Sequence, residues 1–456
     1  MRTLTLILLL LSATLCAQDI QPLQKSATTL AAYQQDASDR HRMAMAELKG
    51  PLKKELAEQY EKRYGSIRKM YDSNQVVTDP EATAYLEKLT AIVFAANPEL
   101  ARQRPAVHFS RTYWPNAACY GEGHVFFNIG LFNRLRNESQ VAFILCHELA
   151  HFYLKHNDTQ VREWVEKMNS EEVRDELKSI SKSTYQRNKR LEELMKGISF
   201  THRRHGRTHE TEADSLALEF MRPTGFDLRE TLSALALLDS IDQEKFSGSL
   251  QLKEQFNFSD YPFRARWIKV ASPTLSEKMQ TQTKEKQKLE DSLKTHPDCQ
   301  LRVEKLRQRA MAAYQSGQRL FLVGENEFRR LSGRFDAECI QFCIDRQELG
   351  RALYYTLQLY PQQPGNIWLA TTLAKTMNHL YKAQAGHRLG NLIEQPGDSP
   401  TPEYEEWLRY LQNVRLSEMA AVHYRYLDKI AARVPENTAF RQELAEATQH
   451  NKTSNP

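Results

Sequence analysis

The sequence has few cysteines, no long apolar run after its first residues, and no strong excess of charge of either sign. Its 456 residues include 6 cysteines, and 62 basic residues stand against 57 acidic ones, which gives a net charge of +5. The cysteines lack zinc-finger spacing and do not predict a disulfide framework. Cys339 and Cys343 are one helical turn apart and are expected to be buried apolar residues. The near balance of charge predicts no nucleic-acid partner.

The first residues carry the features of an export signal. A short positive start precedes T-L-T-L-I-L-L-L-L-S-A-T-L-C-A-Q, an apolar run with a small-residue end, so residues 1–17 predict a signal peptide. Cys16 is a candidate for lipid attachment, but the large Leu15 before it is unfavourable, and a soluble mature form is preferred. No later stretch approaches the roughly 18 consecutive apolar residues of a membrane span. The sequence therefore predicts an exported protein without a transmembrane segment.

Composition and periodicity divide the rest of the chain into three segments. Residues 18–75 are rich in Ala, Gln, Glu, Lys and Arg, which favours exposed helices. Residues 76–310 alternate helical and strand patterns and predict an α+β domain. Residues 311–456 predict a helical domain, whose recurring helix ends are explained both by tetratricopeptide-like hairpins and by ordinary helical packing. The expected fold class is predominantly helical α+β.

Local signals place the elements of the α+β domain. Asp79 precedes a helix that ends near Asn97, and the strand-like A-V-H-F-S follows. Glycines flank an apolar run within 114–132, which predicts a strand or a hairpin. Asn137 begins a largely buried helix of about four turns that contains C-H-E-L-A-H-F. Residues 157–209 are dense in charge and predict charged helices or a mobile excursion, in either case a surface insertion, after which H-E-T-E-A-D resumes an amphipathic helix.

The motif H-E-L-A-H has the spacing of a metal site. His147 and His151 are four residues apart, so both imidazoles project from one helix face and can bind one ion at about 2.0–2.1 Å. Glu148 is the next residue round the helix, and its carboxylate lies beside the ion, where it can take a proton from the metal's water. A catalytic zinc lowers the pKa of that water to roughly 7, which suits hydrolysis of a carbonyl compound.

A third protein ligand is required, and Glu210 in H-E-T-E-A-D is the best candidate. One turn later, Asp214 could accept a hydrogen bond from a ligand histidine and fix its orientation. The pattern H-E-x-x-H-x-x-G-x-x-H is excluded, because Leu154 and Asn157 occupy its Gly and His positions. The alternative, in which the motif residues are core histidines and a buried ion-pair partner, would bury three polar groups on an apolar helix at considerable cost.

These segments resemble a known family. H-E-L-A-H-F-Y-L-K-H, preceded by N-A-A-C-Y-G-E-G-H-V-F-F-N-I-G-L and followed by E-T-E-A-D and T-H-P-D-C-Q-L-R, is similar to the gluzincins that include the heat-shock protease HtpX and the CAAX prenyl endopeptidases. The resemblance covers about residues 76–310. Without membrane spans, the chain is most similar to the soluble periplasmic branch of the beta-barrel assembly-enhancing protease, some members of which carry a tetratricopeptide tail. It implies a periplasmic gluzincin domain with one Zn²⁺ per chain.

The resemblance also implies roles for individual residues. His147, His151 and Glu210 would be the zinc ligands, Glu148 the general base, and Asp214 the carboxylate behind a ligand histidine.

The segment 116–131, which begins at Asn116, would be the exposed edge strand of a small sheet, onto which a substrate peptide is laid as an added strand. The family's usual Pro-Gly-Gly-like turn is here Gly121-Glu122-Gly123, which leaves the substrate preference open.

Other polar residues have several interpretations. By the resemblance His296 and Arg302 would lie near the site, and His296 could plug the fourth metal position, donate a hydrogen bond to the transition state, or cap the following helix. The basic-loop histidines are interpreted as solvated side chains rather than ligands: His202, His205 and His209. His156 is interpreted as the exposed end of the motif helix.

Together these features predict an exported zinc metalloendopeptidase that acts on unfolded or misassembled envelope proteins. The C-terminal helices would recruit polypeptide clients or envelope partners. The alternative is a periplasmic chaperone or scaffold in which peptidase activity is latent. A metal-independent helical binding module is a third hypothesis, and it would leave the motif unexplained.

Overall fold

The computed structural model describes residues 20–183, 187–239, 250–270, 299–396 and 401–455. Most of them are helical, and the strands form one three-stranded sheet, so the predicted α+β class is confirmed. The described chain forms two compact units. The sheet unit holds the described residues of Leu23–Asp242 and Glu285–Ser332, and the helical unit holds those of Met1–Pro22, Gln243–Lys284 and Gly333–Pro456.

The sheet unit contains most of the helices before residue 332. In chain order they are α1 Ala27–Glu47, α2 Lys53–Asp72, α3 Pro80–Ala96, α4 Pro98–Arg102, α5 Ile129–Phe132, α6 Glu138–Tyr153, α7 His156–Asn169, α8 Glu171–Lys182, α9 Arg187–Met221, α10 Glu230–Asp239 and, after α11 of the helical unit, α12 Cys299–Ala313. The predicted start of α3 is confirmed, because the Asp79 side chain accepts from the backbone N–H groups of Glu81 and Ala82, both at 3.1 Å.

The sheet consists of β1 Ala106–Ser110, β2 Ala117–Cys119 and β3 His124–Asn128, in the order β1-β3-β2. β3 pairs in parallel with β1 and antiparallel with β2, where Ala118 faces Phe126. The predicted hairpin within 114–132 is therefore confirmed, and β2 is its short outer strand.

The N-terminal helices are not simply exposed, as the sequence had predicted. One face of α1 and α2 is buried, and Ala37, Ile67 and Tyr71 form an apolar cluster with Phe126 of β3. The opposite faces carry the charged residues that suggested exposure, because a helix with an apolar stripe buries only that stripe.

The segment predicted as a surface insertion is also part of the packing. It is helical, as one of the two predictions had it, and forms α7, α8 and the larger part of α9. Val165 of α7 is buried against Leu48, Leu56 and Tyr60 of the N-terminal segment. The long helix α9 then runs along α6.

The helical unit contains the remaining elements. They are α11 Leu252–Gln255, most of α13 Glu325–Asp345, α14 Leu349–Leu359, α15 Ile367–Ala385, α16 Pro402–Asn413, α17 Leu416–Ala431 and α18 Thr438–Ser454, with 3-10 turns at Ala265–Ile268, Tyr360–Gln362 and Leu389–Asn391. Cys339 and Cys343 are buried on α13, as predicted. Whether these helices form tetratricopeptide repeats stays a prediction.

The stretch 250–270 belongs to the helical unit, although the sequence had grouped it with 76–310. Trp267 is buried and stacks edge-on against Tyr410 with ring centroids 6.0 Å apart. The buried Glu418 accepts from the Trp267 indole at 3.1 Å and pairs with Arg264 and Arg266. The division between the units at 332 and 333 falls within α13, beyond the predicted domain boundary at 310 and 311.

The predicted signal peptide, residues 1–17, lies outside the described residues. Of the helices in the described part of the chain, none is long and apolar enough to cross a membrane.

Candidate metal centre

The H-E-L-A-H motif lies on α6, which is buried on nearly all sides. The predicted start at Asn137 is confirmed, since its side chain accepts from the backbone N–H of Gln140 at 3.0 Å. All residues from Glu138 to Ala150 are buried, because α6 packs against α9, α10 and β2. Polar side chains on such a helix must find partners within the protein.

Donor atoms of three side chains converge beside the C-terminal half of α6. His147 Nε2 and His151 Nε2 are 3.1 Å apart. Glu210, from α9, places Oε1 at 3.1 Å from His151 Nε2 and Oε2 at 3.5 Å from His147 Nε2. Bonds of about 2.0–2.1 Å in a tetrahedral site hold donor atoms about 3.3 Å apart. These residues therefore fit a single zinc-sized ion, and they form one of the two described groups that could hold a metal.

Behind His147 lies a buried ion-pair network. Asp214 Oδ1 is 3.0 Å from His147 Nδ1. The Arg302 guanidinium donates two hydrogen bonds of 2.6 Å to the Asp214 carboxylate, and its Nη1 lies 3.0 Å from Glu210 Oε2. The bidentate geometry fixes the carboxylate, which in turn fixes the His147 ring with Nε2 directed at Glu210.

The charges of this network favour a cation. Burial opposes the ionisation of Asp214, but hydrogen bonds from Arg302 and His147 lower the pKa of its carboxyl below the ordinary value. Burial also opposes protonation of His147, yet Glu210 and Asp214 raise its pKa to about 10. The raised pKa favours a protonated His147 in the metal-free protein, and a metal ion would replace that proton.

The Glu148 side chain contacts β2 and lines a small cavity together with His147. Its side chain is buried, and its Oε2 accepts from the backbone N–H of Cys119 at 2.8 Å. The Cys119 carbonyl accepts from Asn157 Nδ2 at 2.7 Å. Burial raises the pKa of the Cys119 thiol to about 12, which keeps it protonated at neutral pH.

The outer edge of β2 runs directly past Glu148. The backbones of Asn116 and Tyr120 bond to β3, and Ala118 is paired with that strand. Because strand residues alternate, Ala117 and Cys119 direct their N–H and C=O groups away from β3. Glu148 and Asn157 already occupy the Cys119 groups.

The hairpin tip is held by the N-terminal helices. Gly121, Glu122 and Gly123 all have positive φ, between 51° and 79°, a conformation that glycine adopts most readily. The Glu122 side chain is fully buried and accepts from Arg63 Nη2 at 3.2 Å, while His41 Nδ1 lies 3.3 Å away. These contacts explain how a non-glycine residue is kept in that backbone conformation, and they fix β2 beside α6.

Comparison with protein families finds a match to this region. The model of peptidase family M48 matches residues 80–310, just over half of the chain. The chain belongs to peptidase family M48. A search among curated proteins gives no match. Members of the family are metal-dependent peptidases, so the chain is a metallopeptidase, and the resemblance to HtpX-type and CAAX-type gluzincins is confirmed at the level of the family. The similarity to the beta-barrel assembly-enhancing branch stays a prediction.

A small and a large cavity, both lined by described residues, lie beside the M48 site. Beside Asn116, Ala117, His147 and Glu148 the cavity has a volume of about 10 Å³, which is room for about one water molecule. At the Cys119 end of β2, a cavity of about 600 Å³ reaches His151 and is lined by many charged side chains of α1, α2 and the hairpin.

The structure brings together most of the predicted residues of the M48 site. His147, His151 and Glu210 meet, and Glu148 and Asp214 are adjacent to them. Two further candidates, Asn116 and Arg302, line the small cavity beside them. His296 lies outside the described residues, so its three roles remain hypotheses.

The predicted extent of the edge strand is wrong. Within the segment 116–131, the strand at the edge of the sheet is β2, Ala117–Cys119, whereas β3 lies between its two neighbours. The sequence could not distinguish the strands, because both halves of the hairpin have apolar residues and the order depends on the distant β1.

Two interpretations of histidines are also wrong. His156 is 4% exposed, not an exposed helix end. α6 ends before it, Lys155 has φ 57°, and α7 begins at His156, so the chain turns His156 back over His151. His209 lies on α9, not in a loop, and its ring stacks on His156 with centroids 4.1 Å apart. The side chains of His202 and His205 are outside the described residues.

Sequence reasoning missed three residues around the M48 site: His156, Asn157 and Glu212. Glu212 is 3.1 Å from His156 Nε2. Two features of the sequence could have indicated His156 and Glu212. Glu212 stands in the same H-E-T-E-A-D segment as Glu210, and His156 follows His151 by five residues.

Proposed function

We propose that this M48 peptidase is an exported zinc endopeptidase in which His147, His151 and Glu210 hold the metal and Glu148 is the general base. The observation that carries the proposal is the convergence of three side chains beside a buried carboxylate: the two histidine Nε2 atoms are 3.1 Å apart, and each lies 3.1 to 3.5 Å from an oxygen of Glu210. Two imidazoles and one carboxylate leave a coordination position open, which is typical of catalytic rather than structural zinc.

The chain's own residues support hydrolysis of a peptide bond. A bound zinc ion supplies a Lewis acid that polarises a carbonyl and lowers the pKa of a coordinated water. Glu148 can accept a proton from a water in the site and pass it to the departing amine. Asp214 holds the His147 ring in the tautomer with Nε2 unprotonated, and Arg302 balances the buried carboxylates.

Glu148→Gln tests the catalytic assignment. We expect this variant to cleave a loosely folded protein about 10²–10⁴-fold more slowly than the wild type, while it keeps its zinc. A chelator should abolish the wild-type activity, and zinc should restore it. Glu166→Gln, which changes an exposed carboxylate on α7, is the matched control. Equal cleavage by Glu148→Gln and wild type would disprove the role of Glu148.

We propose that substrates bind as an added strand along the outer edge of β2. The outward N–H and C=O of Ala117 are suited to main-chain hydrogen bonds with an extended peptide, and β2 passes directly by Glu148. Main-chain recognition selects little sequence and requires an unfolded segment. Ala117→Pro removes the outward N–H, so kcat/KM should fall without a change in zinc content. An unchanged kcat/KM would exclude this binding mode.

Unfolded or misassembled envelope proteins are the proposed substrates, and the periplasm the proposed location. One protein offered in folded and in unfolded form should be cleaved only when unfolded. Export can be tested by sequencing the N-terminus of the protein recovered from the cell envelope, which should begin at Gln18 if residues 1–17 are removed. An intact N-terminus in the cytoplasm would contradict export.

A second candidate function is a chaperone or scaffold with latent peptidase activity, acting through its C-terminal helices. Two observations favour latency: the cavity of about 10 Å³ beside Glu148 is too small for a peptide, and the outward groups of Cys119 are occupied by Glu148 and Asn157. If neither the wild type nor Glu148→Gln cleaves a loosely folded protein, that result would support latency. Asn157→Leu, which frees the Cys119 carbonyl, should then raise activity, and no gain would argue against an occupied edge as the cause.

A further inference from the structure

The Nδ1 atoms of the two motif histidines have different neighbours: that of His147 faces the Asp214 carboxylate, whereas that of His151 faces another histidine. His151 Nδ1 is 2.9 Å from His156 Nδ1. His156 Nε2 is 3.1 Å from Glu212 Oε2. His156 is 4% exposed, whereas the Glu212 side chain is 53% exposed and reaches the solvent.

Only one set of tautomers satisfies these contacts when His151 binds a metal through Nε2. The His151 proton must then be on Nδ1, where it is donated to His156 Nδ1. His156 must in turn carry its proton on Nε2, and that group donates to the Glu212 carboxylate. The tautomer of His151 thus fixes that of His156, and the Glu212 carboxylate accepts the last hydrogen bond of the series.

The same residues could be taken for a second metal site, since donor atoms of His156, His209 and Glu212 lie within 4.8 Å of one another. The ring geometry disfavours this. The His156 and His209 rings are stacked, with centroids 4.1 Å apart and planes only 12° from parallel. A nitrogen lone pair lies in the plane of its ring, so two stacked rings do not direct their lone pairs at one ion. His156 Nδ1 is also engaged with His151.

We propose that His156 and Glu212 form a positioning relay for His151, which keeps His151 Nε2 unprotonated and directed at the metal. This inference rests on the proposed function, because it takes His151 as a metal ligand. Partners of ligand histidines raise metal affinity by orienting the ring and increasing its basicity, and their loss typically costs about 10–100-fold in affinity. Both are positioning residues, since neither reaches the reacting atoms.

Zinc affinity of the full-length protein, measured by competition with a chelator of known affinity, tests the relay without reference to activity. His156→Leu removes the acceptor and should weaken zinc binding about 10–100-fold. His156→Asn has nearly the same shape as His156→Leu, but its amide oxygen can accept from His151 Nδ1, so it should recover most of the affinity. Glu212→Leu, at a half-exposed position, should weaken zinc binding by a smaller factor.

Two further measurements separate positioning from a general loss of structure. The visible absorption of the cobalt-substituted protein should change in His156→Leu and return towards wild type in His156→Asn. The thermal unfolding of each metal-free variant shows whether it folds. His209→Leu removes the stacked ring but not the contact with His151, and it should keep wild-type zinc affinity.

Several results would overturn the relay. Wild-type affinity in both His156→Leu and Glu212→Leu would do so. Two zinc equivalents per chain, reduced to one in His209→Leu, would establish a second metal site in its place. If the wild type binds no zinc, and His151→Ala binds none either, the assignment of the metal centre is wrong, and so is the relay.

Discussion

His147 and His151 lie one turn apart on α6, yet the surroundings of their second ring nitrogens differ. His147 faces Asp214, which is 3% exposed and held by the 4% exposed Arg302. His151 faces the neutral imidazole of His156, which leads to a half-exposed carboxylate. We call His147, Asp214 and Arg302 the His147 half of the centre, and His151, His156 and Glu212 the His151 half. The charges of the His147 half are buried, so removing one of them should destabilise the fold strongly. The charge of the His151 half is on the solvent-exposed Glu212 and should contribute little to stability. The fold should therefore depend on the His147 half, and the His151 half should mainly adjust metal affinity.

Among the substitutions that test this difference, Arg302→Met is expected to lower the free energy of unfolding most. It leaves the buried carboxylates of Asp214 and Glu210 without their cation, and should lower the free energy of unfolding of the metal-free protein by about 3–5 kcal/mol. Arg309→Met is the matched control, because Arg309 lies on the same helix and pairs with Glu219 at the surface, and it should cost less than about 1 kcal/mol. Denaturant unfolding in the presence of a chelator measures both.

Zinc should restore part of the stability that Arg302→Met loses, since a bound cation compensates the same carboxylates. The rise in Tm on addition of zinc should therefore exceed that of the wild type. If Arg302→Met and Arg309→Met lower the free energy of unfolding equally, the buried charges of the His147 half do not stabilise the fold more than an exposed ion pair does.

Asp214→Asn and Glu212→Gln compare the carboxylates of the two halves directly, and both are on α9. Asp214→Asn keeps the shape but removes a buried charge that Arg302 and His147 both contact, so the free energy of unfolding should fall by about 2 kcal/mol. Glu212→Gln should change it by less than about 0.5 kcal/mol, as expected for an exposed side chain. Equal changes, measured by denaturant unfolding, would contradict the comparison.

The pH dependence of zinc binding should follow the His147 half. Burial opposes the charged imidazole, but Glu210 and Asp214 raise the pKa of His147 to about 10 in the metal-free protein. Zinc displaces this proton, so affinity should rise about tenfold per pH unit below pH 10. The raised pKa also stabilises the metal-free fold; this contribution is complete below about pH 6.5 and is lost as the pH rises through 10. Chelator competition at several pH values measures the slope, and a pH-independent affinity would exclude a protonated His147.

Local sequence signals predicted the parts of the centre that lie within one helix. Asn137 marks the start of α6, and the spacing of His147 and His151 requires only helical geometry. Glu210 and Asp214 followed from the chemistry that two histidine ligands need, together with the resemblance to gluzincins. The family match to residues 80–310 supports the same region.

Features that depend on distant contacts were not predictable. The burial of His156 depends on the left-handed turn at Lys155 and on α9, which meets it some fifty residues later in the sequence. The order β1-β3-β2 depends on the parallel pairing of β1 with β3, the second strand of the hairpin. The stretch 250–270 joined the helical unit because its aromatic residues pack on helices that follow it by about 150 residues.

The most direct test of the central claim is the zinc content of purified wild type and of Glu210→Ala, measured after dialysis against metal-free buffer. Glu219→Ala, which changes a solvent-exposed carboxylate on the same helix, is the control. We expect about one zinc per chain in the wild type and in the control, and a large loss in Glu210→Ala, because Glu210 contributes a donor atom to the site and Glu219 does not. A wild type without zinc, or a full equivalent in Glu210→Ala, would contradict it.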